Sequence, residues 1–454
     1  MVSRVRATLP GITRRRMVLG TVGTALAAGP SAAGGMLAAC AGAGQPATRP
    51  AGEVAGRVEI WFLNQFRFDP GSGVGGDVIK EVQQQNPKLQ LVPVEITGDR
   101  FQKLLTAAAA GSAPDVGQAG AWQMQELGAA GIAIPVDPYL KTSKVVKPSD
   151  IWPTLLYDLT WKNQQWGMPF GPDIAVLFVH TNLLRSVGLD PAQPPQTWEQ
   201  LEQHVARLYQ PDPPRLGYHP LEGSGGPRAM FLLAFAQLGG QLLSADGTKV
   251  TINNEFGIKA LEWITKVANA QGGYAALQAA TANGGLAGMF ANGKAGYMFE
   301  SSDQPVRDVF KNAAGLQYTA SAAPIPPGGK RISVGGCHSF CITKQSQAPD
   351  GAWRFLETLS NEANNLQFAL QYNRIPIRVN TAKSAAFHQN NPIKKLAGEQ
   401  MEFRRWLIPA PGGTEASTLY NSLGPDVASG KVAARDALAT TEQQIQLVLD
   451  KWKK

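Results

Sequence analysis

A glycine-rich segment near the start of the chain has the spacing of a dinucleotide-binding loop. Gly71, Gly73 and Gly76 fit G-x-G-x-x-G, and Glu95 stands nineteen residues further on, as in the fingerprint that places a pyrophosphate on a helix N-terminus. That fingerprint needs its first glycine at the end of a strand, but residues 64–70 intervene here. We therefore predict a flexible loop at a ligand-facing sheet edge, with a cofactor-dependent oxidoreductase as an alternative.

Two further groups of side chains could support chemistry. Cys337, His338 and Cys341 are of types that bind soft metals, but no second ligand-rich segment accompanies them. On an extended strand the two cysteines would lie about 13 Å apart, too far for a disulfide, so we expect them to pack as small apolar residues. Asp173 and Glu222 could act as a carboxylate pair on a glycosidic bond. The sequence contains no G-x-S-x-G or H-E-x-x-H motif, and we predict neither a metal nor a cofactor.

Residues 1–39 have the pattern of an export signal. A basic region (4–16) precedes a short apolar region (17–28) and a small-residue site that ends at Cys40. Arg14 to Arg16 and their neighbours resemble a twin-arginine signal, and Leu-Ala-Ala-Cys resembles a lipoprotein box, which implies that Cys40 is acylated. A free or disulfide-bonded cysteine behind an uncleaved anchor is the alternative. The Gly/Ala/Pro-rich residues 40–56 are predicted to form a flexible tether.

The charge balance gives no indication of a nucleic-acid partner. The formal charge is +8, but residues 1–39 contain five basic and no acidic residues, which leaves 37 basic and 34 acidic residues in the rest. No Lys/Arg-rich stripe is present. The length of 454 residues predicts two or three domains.

The chain beyond the tether alternates predicted strands and helices. Residues 57–63, 89–96 and a segment from Ala113 have strand patterns, whereas a helix from Asp77 and another over 99–110 lie between them. This alternation favours a parallel α/β sheet. Residues 165–184 then form a Gly/Pro-rich connector followed by a dense apolar strand, which we interpret as a passage between two lobes rather than a loop inside one domain.

Several short motifs occur in an order that we know from one family. Each is weak alone, but together they extend over nearly all of the chain after the tether. The motifs are Asn86-Pro87, AAGSAPDV (109–116), WGMPF (166–170), TNLL (181–184), PQTWE (195–199), FANGKA (290–295), Gly335-Gly336 and AWRFL (352–356). In this order the chain resembles extracellular solute-binding proteins of ABC importers, in the carbohydrate-binding group that includes maltose-binding protein.

This resemblance implies an α/β fold of the two-lobed, class II-like periplasmic-binding-protein type. Its discontinuous lobes would be residues 57–172 with 325–373 (lobe 1) and residues 173–324 with 374–454 (lobe 2). By similarity, the hinge crossings are expected near 172–175, 322–325 and 374–377. Closure of the lobes about such a hinge traps the ligand.

A sugar site combines flat aromatic side chains with carboxylates, amides or arginines, and in α/β sheets such groups stand at the carboxyl ends of strands. Asp173 is carried over from the cleft carboxylate of the maltose-binding relative. Relatives often have tryptophan near Ser302 and Asp303, and that departure weakens a maltose-like assignment. The predicted ligand-binding residues are Asn64, Gln65, Trp122, Gln123, Asp173, Glu222, Ser224, Ser302, Asp303, His338 and Arg374.

Structural roles are the alternative for most of these residues. Trp122 could belong to the core, Asp173 could cap the hinge turn, and Glu222 and Asp303 could be solvated. His338 could be a packing residue, and Arg374 could pair with a carboxylate across the lobes.

The predicted function is capture of a sugar or sugar-like polyol, possibly phosphorylated, by a monomeric, non-catalytic lipoprotein. It would lie at the outer face of the cytoplasmic membrane, attached through its lipid anchor alone, or in the periplasm. There it would deliver the ligand to ABC permease subunits. The alternative is an exported enzyme, either a cofactor-dependent oxidoreductase or a glycoside hydrolase; a signalling receptor is a third possibility.

Overall fold

The computed structural model describes residues 54–405 and 410–452. The predicted export signal, Cys40 and almost all of the tether lie outside these residues. Within them, no helix has the length and apolar character needed to cross a membrane.

The described chain alternates helices and strands, as the sequence pattern predicted. The strands are β1 Gly56–Leu63, β2 Leu89–Ile96, β3 Val116–Gly120, β4 Thr160–Trp161, β5 Gln164–Gln165, β6 Met168–Pro172, β7 Ala175–His180, β8 Leu216–Tyr218, β9 Ala295–Ser301, β10 Tyr318–Ser321, β11 Ser333–Val334, β12 Cys337–Ile342 and β13 Arg404–Arg405. The α-helices are α1 Val74–Gln85, α2 Arg100–Ala109, α3 Ala121–Ala129, α4 Asp137–Thr142, α5 Pro153–Leu159, α6 Thr181–Ser186, α7 Trp198–Leu208, α8 Gly226–Gln237, α9 Glu255–Asn269, α10 Gly273–Thr281, α11 Gly285–Ala291, α12 Gln304–Asp308, α13 Pro349–Leu359, α14 Glu362–Gln371, α15 Val379–Ala382, α16 Ala385–His388, α17 Pro392–Gln400, α18 Gly413–Leu419, α19 Leu423–Ala428 and α20 Ala434–Asp450.

The first sheet has the strand order β2-β1-β3-β12-β6. β1 runs parallel to β2 and β3, whereas β12 is antiparallel to β3 and β6. β6 contains two prolines and lies at the edge, the position in which a missing backbone donor is tolerated. Because β12 is reversed, its first residues lie beside the carboxyl end of β3, where His338 faces Gly120.

The second sheet has the order β10-β7-β9-β8. β7 is antiparallel to β9 and β10, and β8 is parallel to β9. Alternate β7 side chains enter different cores: Leu177 packs in one cluster, and Val176 and Phe178 in another on the opposite face. A strand that is buried on both faces must be apolar throughout, which explains the uninterrupted apolar run in the sequence.

The chain passes from the first sheet to the second at Asp173 and Ile174, between β6 and β7. The return passage is at Gly335 and Gly336, not near 322–325 as predicted: Ala323 and Val334 belong to the second sheet's core, and Cys337 to the first sheet's. The two passages touch, because the Asp173 amide donates to the Gly336 carbonyl at 3.2 Å.

The third predicted crossing is also displaced. Ile375, Ile377 and Met401 pack in the core of the first sheet, although the predicted boundaries assigned residues after 373 to lobe 2. β13, which follows them, pairs with β11. Leu423 and later residues pack in the core of the second sheet. The predicted position was transferred by similarity, whereas the packing of residues 375–401 in the first core places the passage later in the chain.

Three local predictions also need revision. α1 begins at Val74, inside the glycine segment, and a Cβ on Gly76 would lie 2.3 Å from the Asp69 carbonyl oxygen. Close packing therefore explains that glycine without a pyrophosphate. The third strand begins at Val116 rather than Ala113, and the single strand that the sequence predicts around the two cysteines, over residues 332–343, is two strands, β11 and β12.

Cys337 and Cys341 are free, buried thiols, as predicted for packing residues. Burial raises the pKa of each to about 12. The thiolate form, which binds metals, is therefore disfavoured at neutral pH.

The contact between the first passage and the glycine-containing return passage yields a stability prediction. A Cβ on Gly335 would lie 2.2 Å from the Asp173 carbonyl oxygen and 2.9 Å from Ile174 Cα, whereas a Cβ on Gly336 meets nothing closer than the Asp173 carboxylate at 3.4 Å. We expect Gly335→Ala to lower the free energy of unfolding by about 1 to 3 kcal/mol, and Gly336→Ala to change it by less than about 0.5 kcal/mol. Urea denaturation measures both, and equal effects would contradict the tight crossing.

Candidate functional site at the crossing between the sheets

Arg374 joins the two sheets through one carboxylate on each side. It follows α14, where Asn373 adopts a left-handed conformation with φ 52° and the Arg374 amide donates to the Ala369 carbonyl. Its Nη1 donates to Asp173 Oδ2 at 2.8 Å, and its Nε lies 3.3 Å from Asp303 Oδ2. Asp173 stands in the first passage and Asp303 follows β9, so a guanidinium that is almost fully buried connects elements of both lobes.

Aromatic rings of the first sheet's core hold the guanidinium in place. Arg374 Cζ lies 5.5 Å from the centroid of the Phe66 ring. Phe66 in turn packs edge-on against Phe170, His338 and Tyr372, with centroids 5.3, 4.8 and 5.2 Å away. Contact with a ring face orients a planar guanidinium, and the surrounding rings leave Phe66 little freedom. Arg374 is therefore a rigid donor fixed from the lobe 1 side.

Asp303, which is 1% exposed, is surrounded by donors. The Ser301 hydroxyl donates to Oδ1, and Arg307 Nη1 donates to Oδ2 at 3.0 Å. Burial raises the pKa of Asp303, while the Arg374 guanidinium opposes that rise. Among the predicted site residues, Asp303 is thus structural and buried, not solvated.

Asp173 has both carboxylate oxygens engaged. Oδ1 accepts from the Gly336 amide at 2.8 Å and Oδ2 accepts from Arg374. The carboxylate therefore caps the hinge turn and carries the cross-lobe ion pair. This arrangement disfavours the glycosidase alternative, which needs a carboxylate that is free to exchange a proton or attack a sugar.

Glu300 and Glu222 are the acceptors of the cluster that have no cation as a partner within the described residues. Burial, together with the charges of Asp173, Asp303 and Glu222, raises the pKa of Glu300 to about 7. Glu222 Oε1 accepts from the Leu286 amide at 2.7 Å, at the N-terminus of α11. These two carboxylates lie at the carboxyl ends of β9 and β8, where ligand contacts are expected in an α/β sheet.

On the first sheet, His338 lies between two amide side chains. Gln118 accepts from the Leu63 amide through Oε1 at 2.6 Å, so its Nε2, 3.2 Å from His338 Nδ1, must donate to the ring. His338 Nε2 then carries the proton. The Gln65 Nε2 that lies 3.0 Å away cannot accept it, so the Gln65 amide must flip to present its oxygen to the ring. Burial and the charges of Arg374 and other arginines lower the pKa of His338 well below its usual value, so the ring is neutral.

The remaining predicted residues are placed in different ways. Asn64 is exposed, and Trp122 is half-buried with its ring over Gly120 and 3.8 Å from a Cβ placed on Gly336. Gln123 is buried, and its Oε1 accepts from the Gly120 amide at 2.9 Å, so it caps α3. Ser224 is buried beside β9, where its amide donates to Phe299, and the Ser302 amide donates to Ile174.

The structure therefore brings together Asp173, Asp303, Arg374 and Glu222 around the crossing, with His338 and Gln65 on the lobe 1 side. Sequence reasoning missed Glu300 and Gln118. Glu300 comes at the end of a predicted strand, so the strand-end rule could have selected it. Gln118 gave no such signal, because it lies inside β3 and reaches the site only through His338. The arrangement presents acceptors and neutral donors, which suits ligand hydroxyl groups.

The sequence and fold match known proteins over most of their length. The family described as bacterial extracellular solute-binding protein matches residues 77–395. Maltodextrin-binding protein MdxE of Bacillus subtilis is 24% identical over 389 residues, which are 82% of this chain and 88% of that protein. The structure of the sugar-binding protein MalE from Xanthomonas citri matches with a TM-score of 0.75 at 23% identity and covers 87% of this chain and 98% of that chain. This likeness confirms the predicted two-lobed fold.

A shorter match involves a phosphate-containing ligand. The sn-glycerol-3-phosphate-binding periplasmic protein UgpB of Salmonella typhimurium is 27% identical over 176 residues, which are 35% of this chain and 37% of that protein.

Removal of Arg374 should destabilise the protein strongly. Among the described residues, the buried Asp303 of Arg374→Met keeps only Arg307 as a cation, and Asp173 loses its ion-pair partner. We therefore expect a loss of about 3 to 5 kcal/mol. Lys431→Met is the matched control, because Lys431 pairs with Asp426 at the surface and exposed pairs contribute at most about 1 kcal/mol. Chemical denaturation measures both, and a similar small loss in each variant would show that the buried network is not stabilising.

Glu300 should give the stability a specific pH dependence. Its pKa is about 7 in the folded protein, above the ordinary value of 4.5 for a glutamate, so the folded state retains the proton to higher pH than the unfolded state. The stabilising contribution of Glu300 is therefore fully present below pH 4.5 and is lost as the pH rises through about 7. We expect the stability of wild type relative to Glu300→Gln to fall between pH 4.5 and pH 7. Parallel pH profiles of the two proteins in urea denaturation would contradict this assignment.

Proposed function

The chain belongs to the bacterial extracellular solute-binding protein family, and we propose that its cleft captures a neutral sugar or oligosaccharide for an ABC importer. The observation that carries the proposal is the acceptor-rich cluster at the crossing. Glu222 and Glu300 have no cation as a partner within the described residues, and the two arginines beside them are already paired with Asp173, Asp303 and Asp308. Sugar hydroxyls, which can donate to such carboxylates, are the ligand groups that fit.

A phosphorylated polyol fits this cluster less well. In the sequence, Arg374 and the glycine loops leave room for a phosphate, but the Arg374 guanidinium is committed to Asp173 and Asp303. A phosphate here would compete with both carboxylates and would also lie close to Glu222 and Glu300. Because like charges at close range are unfavourable in a desolvated site, the cluster favours uncharged ligands. The similarity to the glycerol-phosphate-binding relative covers only a minor part of that protein.

The proposed cycle is closure of the two lobes about the passages at 173–174, 335–336 and 404–405. Residues 57–172 and 337–403 would move as lobe 1, and residues 175–334 with the C-terminal helices as lobe 2. Arg374 stands at the pivot, where its pairing with Asp173 and Asp303 can persist while the lobes rotate. The family and the maltodextrin-binding relative support a non-catalytic role, and neither supports the exported enzyme.

The proposal includes the location and the partners. The signal-like residues 1–39 and the lipoprotein-like sequence before Cys40 support export and a lipid anchor at the outer face of the cytoplasmic membrane. The anchored protein would act as a monomer and deliver its ligand to the permease subunits of the importer.

A ligand panel that pairs neutral compounds with their phosphorylated forms tests the sugar assignment. We expect maltotetraose, mannobiose or tagatose to raise the melting temperature of the purified protein, since a ligand at about 100 times its Kd adds about 2.7 kcal/mol of stability. Glucose with glucose 6-phosphate, and glycerol with sn-glycerol 3-phosphate, isolate the effect of the phosphate. Stabilisation by the phosphorylated members alone would contradict the proposal, and calorimetry would give the affinity.

A further inference from the structure

His219 is a buried histidine beside the cluster that no sequence pattern selected. It follows β8 directly, in the same loop as Glu222. Its side chain is 0% exposed, and burial lowers its pKa to about 4. The imidazole is therefore neutral at physiological pH and carries a single N–H.

The position of that proton follows from the neighbouring backbone. The Leu221 amide donates to His219 Nδ1 at 3.2 Å, so Nδ1 is the acceptor and the proton is on Nε2. Nε2 has no hydrogen-bond partner among the described residues. A buried donor without an acceptor destabilises the folded protein, so the presence of this one calls for an explanation.

A carboxylate oxygen of Glu222 faces the His219 N–H but lies too far away to accept from it. Glu222 Oε2 is 3.9 Å from His219 Nε2, beyond hydrogen-bonding distance. The other oxygen of Glu222 is engaged by the Leu286 amide, which fixes the carboxylate at one end. The Glu222 side chain is 35% exposed and can therefore be reached from solvent, and its charge contributes to the raised pKa of Glu300.

The donor and the acceptor together select one kind of ligand group. A ligand carboxylate or phosphate could accept from His219 but would be repelled by Glu222. An ammonium could donate to Glu222 but would leave the His219 N–H without an acceptor. A hydroxyl oxygen accepts one hydrogen bond and donates another, so it satisfies both residues at once.

We propose that His219 and Glu222 form a subsite for one ligand hydroxyl, which accepts from His219 Nε2–H and donates to Glu222 Oε2. The inference rests on the proposed function and adds a specificity-determining residue to it. It also gives Glu222 a defined partner: Oε1 is held by α11, and Oε2 meets the ligand. The buried donor is then retained because it becomes satisfied when the sugar is bound.

The decisive variant is His219→Asn. The asparagine Oδ1 can replace Nδ1 as the acceptor for the Leu221 amide, but nothing replaces Nε2–H. We expect the affinity for the tightest-binding sugar of the panel (maltotetraose, mannobiose or tagatose) to fall about tenfold in calorimetry, while the melting temperature without sugar stays near that of wild type. His219→Gln, whose amide can extend a donor to the Nε2 position, should restore part of the affinity.

Two controls separate this role from a structural one. His204→Asn makes the same change at a histidine that bonds Tyr297 at 2.5 Å and should leave affinity unchanged. The second control uses monodeoxy analogues of the same sugar. One of them should bind wild type about tenfold more weakly than the parent sugar does, whereas His219→Asn should bind that analogue and the parent sugar equally well. Because His219 stays neutral, the effect of the Asn variant on affinity should also be constant between about pH 5.5 and 8.

The outcomes distinguish the two levels of the proposal. If no sugar in the panel binds wild type, the proposed function fails and this inference fails with it. If a sugar binds wild type and His219→Asn with equal affinity, or if every deoxy analogue weakens both proteins equally, the hydroxyl subsite is wrong while the sugar-binding function stands.

Discussion

The ion pairs of one arginine organise this structure. Arg374 is fixed against Phe66 in the core of the first sheet and reaches Asp173 in the first passage and Asp303 beyond β9. All three side chains are largely removed from water, so each charge depends on the others: a buried ion that loses its partner is far more costly than an exposed one. The two lobes therefore cannot be separated at the crossing without leaving a buried charge unpaired or exposing it to water.

The same network determines what the cleft can offer a ligand. With Arg374 and Arg307 committed to carboxylates, the polar groups that stay available are acceptors such as Glu222 and Glu300 and neutral donors such as the His219 imidazole. On the lobe 1 side, His338 is also held neutral between two amides. In the proposed function, a site assembled from such groups would discriminate by hydroxyl geometry rather than by net charge, which agrees with membership of a solute-binding family that has a maltodextrin-binding relative.

The fold explains how these groups converge. Reversal of β12 brings His338 to the carboxyl end of β3, and the pairing of Ala175 with Ser301 brings the start of β7 to the end of β9. The first passage and the return passage then lie against each other, and a side chain on Gly335 would collide with the Asp173 carbonyl. Polar loops from both sheets are thereby gathered at one place, although long stretches of chain separate them.

The sequence by itself determined most of the local structure, because periodicity, capping residues and proline positions act over a few residues. The strand from Gly56, the Thr197–Gln200 capping box of α7 and the apolar β7 were all predictable in this way. Ordered motifs also sufficed to predict the family and the two-lobed fold. Only the tertiary structure decided the later crossings, the commitment of Arg374 to two carboxylates, the capping role of Gln123 and the positions of Glu300 and His219 in the site. Arg374 and Asp173 are 201 residues apart, and both pairing and pKa depend on which distant groups share a desolvated space, a property that no local pattern encodes.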